Sequence, residues 1–90
     1  MIYKIVTSKN ADDDLLALGK SDKKAHNKAL DLLEELKEHP RTGKPELMKY
    51  GKFKGLWSRR ITDKHRLVYA IKDKEVVVYV LTAKGHYDDK

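Results

Sequence analysis

The sequence predicts an α+β fold, in which a two-helix hairpin packs on a four- to five-stranded, mainly antiparallel sheet. Two observations carry this. Apolar residues recur with a helical period before Pro40, and after the loop Arg41-Thr42-Gly43-Lys44-Pro45 the pattern changes to that of strands joined by tight turns. The chain has 90 residues, one domain's worth spanning 1–90, and at this size folding buries only about 60% of the unfolded surface.

Ile2 to Thr7 favours a strand. Ser8 then supplies a helix cap, and Asp12, Asp13 and Asp14 suit the positive end of a helix dipole; Gly19 is expected to close this helix. Ser21 or Asp22 opens a second helix, whose Ala25, Ala29, Leu32, Leu33 and Leu36 share one face, and Pro40 ends it. The short separation predicts an antiparallel hairpin. Leu56 to Thr62, His65 to Ile71 and Val76 to Thr82 read as strands turning at Asp63-Lys64 and Asp73-Lys74. In the middle one, Leu67, Tyr69 and Ile71 share a face and Arg66, Val68 and Ala70 the other. The last run is apolar on both faces, which places it centrally in the sheet, where the first strand can pair with it.

The net charge is +6, but it is unevenly spread: Arg41 to Lys72 holds ten basic and two acidic residues, a local balance of +8, against −2 for the rest. Such a field concentrates polyanions, so nucleic acid is the leading partner class, with a solvated surface or a docking face for an acidic protein as alternatives. Cysteine is absent and the four histidines are dispersed. No thiolate or metal-spaced cluster is present, so neither a metal nor another cofactor is expected. Lys4 breaks the first apolar run, and no run approaches the ~20 residues that span a bilayer. The expectation is a soluble, cytoplasmic protein with no membrane association.

Trp57, Tyr50, Phe53 and Tyr87 accompany the basic residues, a combination that suits stacking of unpaired bases, although mid-strand Trp57 better suits core or half-buried packing. Arg59 and Arg60 point to opposite faces of their strand, so at most one joins Arg66 on the open face. Glu46 is the only acid between Glu38 and Asp63. It can form an ordinary salt bridge, or serve as a base whose ionised form nearby cations favour. His86, beyond the last strand, can be a surface residue or a proton donor near neutral pH. A base, an acid and a fixed cation are the parts that metal-free RNA cleavage through the 2′-hydroxyl requires.

Lys44-Pro45-Glu46, Trp57-Ser58-Arg59-Arg60-Ile61-Thr62, His65-Arg66-Leu67-Val68-Tyr69 and His86-Tyr87 occur in that order. In these segments the chain resembles the YoeB/Txe toxins of bacterial type II toxin–antitoxin pairs, within the RelE-like superfamily. The resemblance implies a microbial-RNase-like fold and a metal-independent endoribonuclease, an mRNA interferase that cuts messenger in the ribosomal A site and so inhibits translation. It assigns general base to Glu46, phosphate stabilisation to Arg66 and general acid to His86, with Lys49, Arg59 and Tyr87 assisting or contacting RNA. The implied partners are the ribosome with its messenger and a cognate antitoxin, YefM/Phd-like, whose acidic flexible tail would suit the +8 region; a homodimer is an allowed assembly. The chain departs from the pattern at Gly85 and in Asp88-Asp89-Lys90 after His86-Tyr87. Two other readings are a non-catalytic nucleic-acid-binding module and a gyrase-directed, ParE-like toxin; the pairing of Glu46 with His86 argues against the latter.

Overall fold

The computed structural model describes residues 2–42, 45–49, 51 and 54–83. Its elements run β1 (Lys4–Thr7), α1 (Lys9–Ser21), α2 (Lys23–Glu38), β2 (Glu46–Leu47), β3 (Trp57–Arg60), β4 (Arg66–Lys72) and β5 (Val77–Thr82). The strands form one five-stranded sheet in the order β1-β5-β4-β3-β2. β1 lies parallel to β5, and the other neighbours are antiparallel. The α+β architecture is therefore the expected one, and β5, apolar on both faces, does lie between β1 and β4.

Side-chain chemistry sets the helix boundaries. Ser8 caps α1, its Oγ accepting from Ala11 N at 3.0 Å, and the same hydroxyl donates to the Leu81 carbonyl at 2.8 Å, so the cap also ties α1 to β5. Gly19 does not close α1, contrary to the sequence expectation; the helix continues to Ser21. A Cβ there would make an ordinary contact, 3.4 Å from His26 Cδ2 on α2, so neither a helix stop nor close packing demands the glycine. The turn between the helices is a single residue, Asp22. Its N–H donates to Leu18 O at 2.8 Å, and its Oδ1 accepts from Ala25 N at 3.1 Å, ending one helix and starting the next.

The helix pair covers one face of the sheet. Leu18, Leu32 and Leu36 from the helices meet Leu67, Tyr69, Val78 and Val80 from β4 and β5, all buried, as the i, i+4, i+7 spacing of α2 requires. Leu33 is only half-buried against this core. The strands are shorter than the apolar runs suggest. Val76 falls in the β4–β5 turn at φ 56, an uncommon backbone conformation for a β-branched residue, and the strand begins at Val77. A register shift at Val68/Tyr69 leaves Leu81 as the extra residue of a bulge in β5. β2 is a two-residue edge strand, too short to leave any periodicity in the sequence. Among the described residues, no helix is long and apolar enough to cross a membrane.

Candidate functional site

Strand register brings the site together. Glu46 pairs with Ser58, Ser58 with Val68, and Arg60 with Arg66. Since successive side chains alternate between faces, Glu46, Ser58, Arg60 and Arg66 all lie on the sheet face opposite the helices. Hairpin geometry delivers β2 to this edge: Met48 N donates to Leu56 O at 2.7 Å and Gly55 N to Met48 O at 2.8 Å. Gly55 takes φ +88, a conformation that favours a residue without Cβ.

Arg66 Nη1 donates to Glu46 Oε1 at 2.6 Å and to Ser58 Oγ at 3.4 Å. The carboxylate is well exposed, its side chain 68% accessible against 33% for Arg66, so it meets solvent and any incoming ligand directly. Ser58 is buried. Arg60 stands directly opposite Arg66, and its own ion pair with Asp63 is loose, at 3.7 Å on the surface. Like charges opposed across two strands cost up to about 1 kcal/mol, a cost that an anion placed between them removes. The four residues line a cavity of about 430 Å³. Chemically, this is an exposed carboxylate beside two planar cations, an arrangement able to hold a phosphate and to accept a proton next to it.

The loop that leads into β2 is held from below. Tyr69 OH donates to Pro40 O at 3.4 Å, and burial pushes this phenol up to about 12. Arg41 forks onto Asp73 at 3.0 and 2.7 Å, and Tyr3 OH adds a bond to Asp73 Oδ1 at 2.7 Å. Hydrogen bonds from Arg41 and then Tyr3 hold the Asp73 carboxyl down at about 2. Arg59 completes the set, reaching Thr42 O at 3.4 Å and Glu35 at 3.3 Å.

Of the residues singled out from the sequence, Glu46 and Arg66 are in contact. Arg59 is not brought to them: it pairs with Leu67, faces the helices and has a side chain only 13% exposed. Arg60, one residue on, occupies the open face. Lys49 is exposed just after β2. Trp57 packs against the core. His86 and Tyr87 lie outside the described residues, as do Tyr50 and Phe53. Ser58 was not singled out by the sequence reading; the signal available was its alternation with Arg60 in a strand beside Arg66.

The model of the YoeB-like toxins of bacterial type II toxin–antitoxin systems matches residues 7–87. The chain is 38% identical over 86 residues to toxin YoeB of Escherichia coli K12, covering 93% of this chain and 99% of that one. A YoeB/ParE toxin structure from Agrobacterium tumefaciens superposes with a TM-score of 0.82 at 34% identity, over 93% of this chain and 99% of the other. The heterotetrameric YoeB–YefM complex from Staphylococcus aureus contains a chain matching at TM-score 0.71 and 31% identity, over 97% of this chain and 100% of that one. The fold is thus that of the RelE-like toxins, two helices on an open mixed sheet. Within that class, the chain belongs to the family of YoeB-like toxins of bacterial type II toxin–antitoxin systems.

Proposed function

We propose that the chain is a metal-independent endoribonuclease that cleaves messenger RNA in the ribosomal A site, and so halts translation. The contact between Glu46 and Arg66 at 2.6 Å, beside Arg60 and Ser58 in one cavity, is the observation that supports this most. In the free protein Arg66 holds Glu46; when a phosphodiester takes up the guanidinium, the carboxylate is released beside the 2′-hydroxyl. Glu46 removes that proton, the 2′-oxygen attacks phosphorus, and the bond to the 5′-oxygen breaks. Arg66, with Arg60 opposite it, stabilises the charge that builds on the phosphoryl oxygens.

His86 supplies the proton to the departing 5′-oxygen in this scheme. Thr82 pairs antiparallel with Val68, so β5 runs toward the Arg66 end of β4. Ala83 is pinned there by a bond from its N–H to Asp14 Oδ2 at 3.0 Å. His86 follows within about 10 Å of extended chain, a reach that suits the role. Lys49 and Tyr87 assist at the RNA. Arg59, turned toward the helices, acts by holding the loop before β2. A YefM-like antitoxin, the kind of partner named for the Staphylococcus aureus relative, neutralises the basic half of the sheet here through an acidic flexible segment.

The decisive experiment uses purified ribosomes programmed with a defined messenger. Cleavage should leave a 2′,3′-cyclic phosphate or 3′-phosphate upstream and a 5′-hydroxyl downstream, and Glu46→Gln should slow it by about 10²-fold. A messenger with 2′-deoxy just upstream of the cut should resist. Efficient cutting of the deoxy messenger, or a 5′-phosphate on the downstream piece, would mean that water is the nucleophile and that this scheme is wrong.

A further inference from the structure

Away from the cavity, the open face carries a second feature that the cleavage scheme does not use. In register across β1, β5 and β4, Lys4, Val77 and Lys72 form one row, and Val6, Tyr79 and Ala70 the next. All six lie opposite the helices, because the residues between them, Ile5, Val78, Val80, Tyr69 and Ile71, pack into or against the core. Tyr79 is 38% exposed in the middle of an otherwise apolar strand. Its neighbours across the sheet are Val6 and the small Ala70. Both lysines are exposed, and neither forms an ion pair with another described residue. Of the two carboxylates in the adjoining turn, Asp73 is taken up by Arg41 and Tyr3, and Glu75 is exposed.

The bulge in β5 joins this feature to the cavity. With Leu81 extra, Thr82 rather than Leu81 pairs with Val68. On this side of the sheet Thr82, Val68 and Ser58, all three buried, lie in register between Tyr79 and the pair Glu46 and Arg66. Ala70 lies four residues along β4 from Arg66, about 13 Å at strand rise.

We propose that Tyr79 is a base-stacking platform on the open face, flanked by Lys4 and Lys72 as phosphate contacts, which binds the single-stranded RNA running away from the cleavage site. The inference rests on the cleavage reading for the identity of the RNA. An unpaired base stacks on an aromatic ring whatever its sequence, while lysines hold the backbone on either side. An acidic protein segment would use the lysines but gain little from the ring, and for that reason RNA is the favoured occupant.

Two measurements test this in the full-length protein. The first is binding of a fluorescein-labelled, fully 2′-O-methyl RNA octamer, which cannot be cleaved by the proposed route, followed by anisotropy. Tyr79→Ala should weaken binding about tenfold, equivalent to about 1.4 kcal/mol and within the range for one stacked base, while Tyr79→Phe should bind like the parent. Lys4→Gln with Lys72→Gln should lower the slope of log K against log salt by about 1.4. The second is cleavage on ribosomes, where Tyr79→Ala should raise KM with kcat unchanged. Parental binding by Tyr79→Ala, or equal loss in Tyr79→Phe, would overturn the platform even if cleavage occurs. A parent that binds the octamer through Tyr79 yet cuts no messenger would uphold the platform and sink the cleavage reading.

Discussion

Arg66 can hold Glu46 and reach Ser58 from one nitrogen because a guanidinium projects several donors in a fixed plane. The same planar fork matches two oxygens of a phosphate. A lysine at this position would keep the charge and lose the fork. Arg59 uses the same group differently, between Glu35 of α2 and the Thr42 carbonyl, where it supports structure. The two arginines should therefore respond differently to the same change. Arg66→Lys should slow cleavage by about 10²-fold at a parental melting temperature. Arg59→Lys should lower stability by about 1 kcal/mol, near 4–8 °C in Tm for a domain of this size, with cleavage largely retained below the melt. Thermal denaturation and ribosome cleavage measured on both variants check this. Lost cleavage at an unchanged Tm for Arg59→Lys would make that residue a substrate contact after all.

At the scale of elements, the segment between α2 and β2 does more than connect. Pro40, Arg41 and Thr42 are tied in turn to Tyr69, Asp73 and Arg59. The Asp73 tie has a pH signature. Its carboxyl titrates at about 2 in the folded chain against an ordinary 3.8, so the unfolded chain takes up the proton first as pH falls. The contribution is complete above 3.8 and is lost as pH drops through about 2. Asp73→Asn should flatten the acid-side fall in stability across that window, as read by urea unfolding midpoints at a series of pH values. A parental acid profile in the variant would remove Asp73 from the acid response.

The elements were legible in the sequence wherever a period ran for several residues. The offsets from Ala25 to Leu36 located the buried face of α2, and two-sided apolarity located β5 in the sheet interior. β2 was not legible, because Glu46-Leu47 is too short to show a period and its pairing depends on a hairpin glycine. Gly19 misled because a glycine inside a helix and one that ends it look alike in sequence, and here the stop lies at Asp22. At the site, Glu46 stood out as a lone acid among cations. The choice between Arg59 and Arg60 turned on the phase of a four-residue strand, and only the pairing of Arg60 with Arg66 settles it. The expectations at His86 and Tyr87 lie beyond the described residues.

Over the whole molecule, the charge excess of the sequence becomes a place. The basic stretch from Arg41 to Lys72 folds into β2, β3 and β4, three adjacent strands at one side of the sheet. A field arranged in this way captures polyanions quickly and more weakly as salt rises. An acidic antitoxin segment should occupy the same strands. Hydrogen exchange on the complex should therefore slow between Arg41 and Lys72, and exchange left unchanged there would place the antitoxin elsewhere.

The parallel pairing of β1 with β5 also sets the order in which the molecule can be finished. The Ser8 hydroxyl finds its Leu81 partner 73 residues downstream, and Ile5 and Thr7 have no sheet neighbour until Val78 and Val80 exist. During synthesis, the first strand is made early and waits unpaired while nearly all the described chain emerges, since a long-range closure is possible only once both ends are present. A nascent or truncated chain that stops short of Val77 lacks the strand that joins β1 to β4. Interrupted translation therefore yields an incomplete sheet rather than a weaker form of the finished protein.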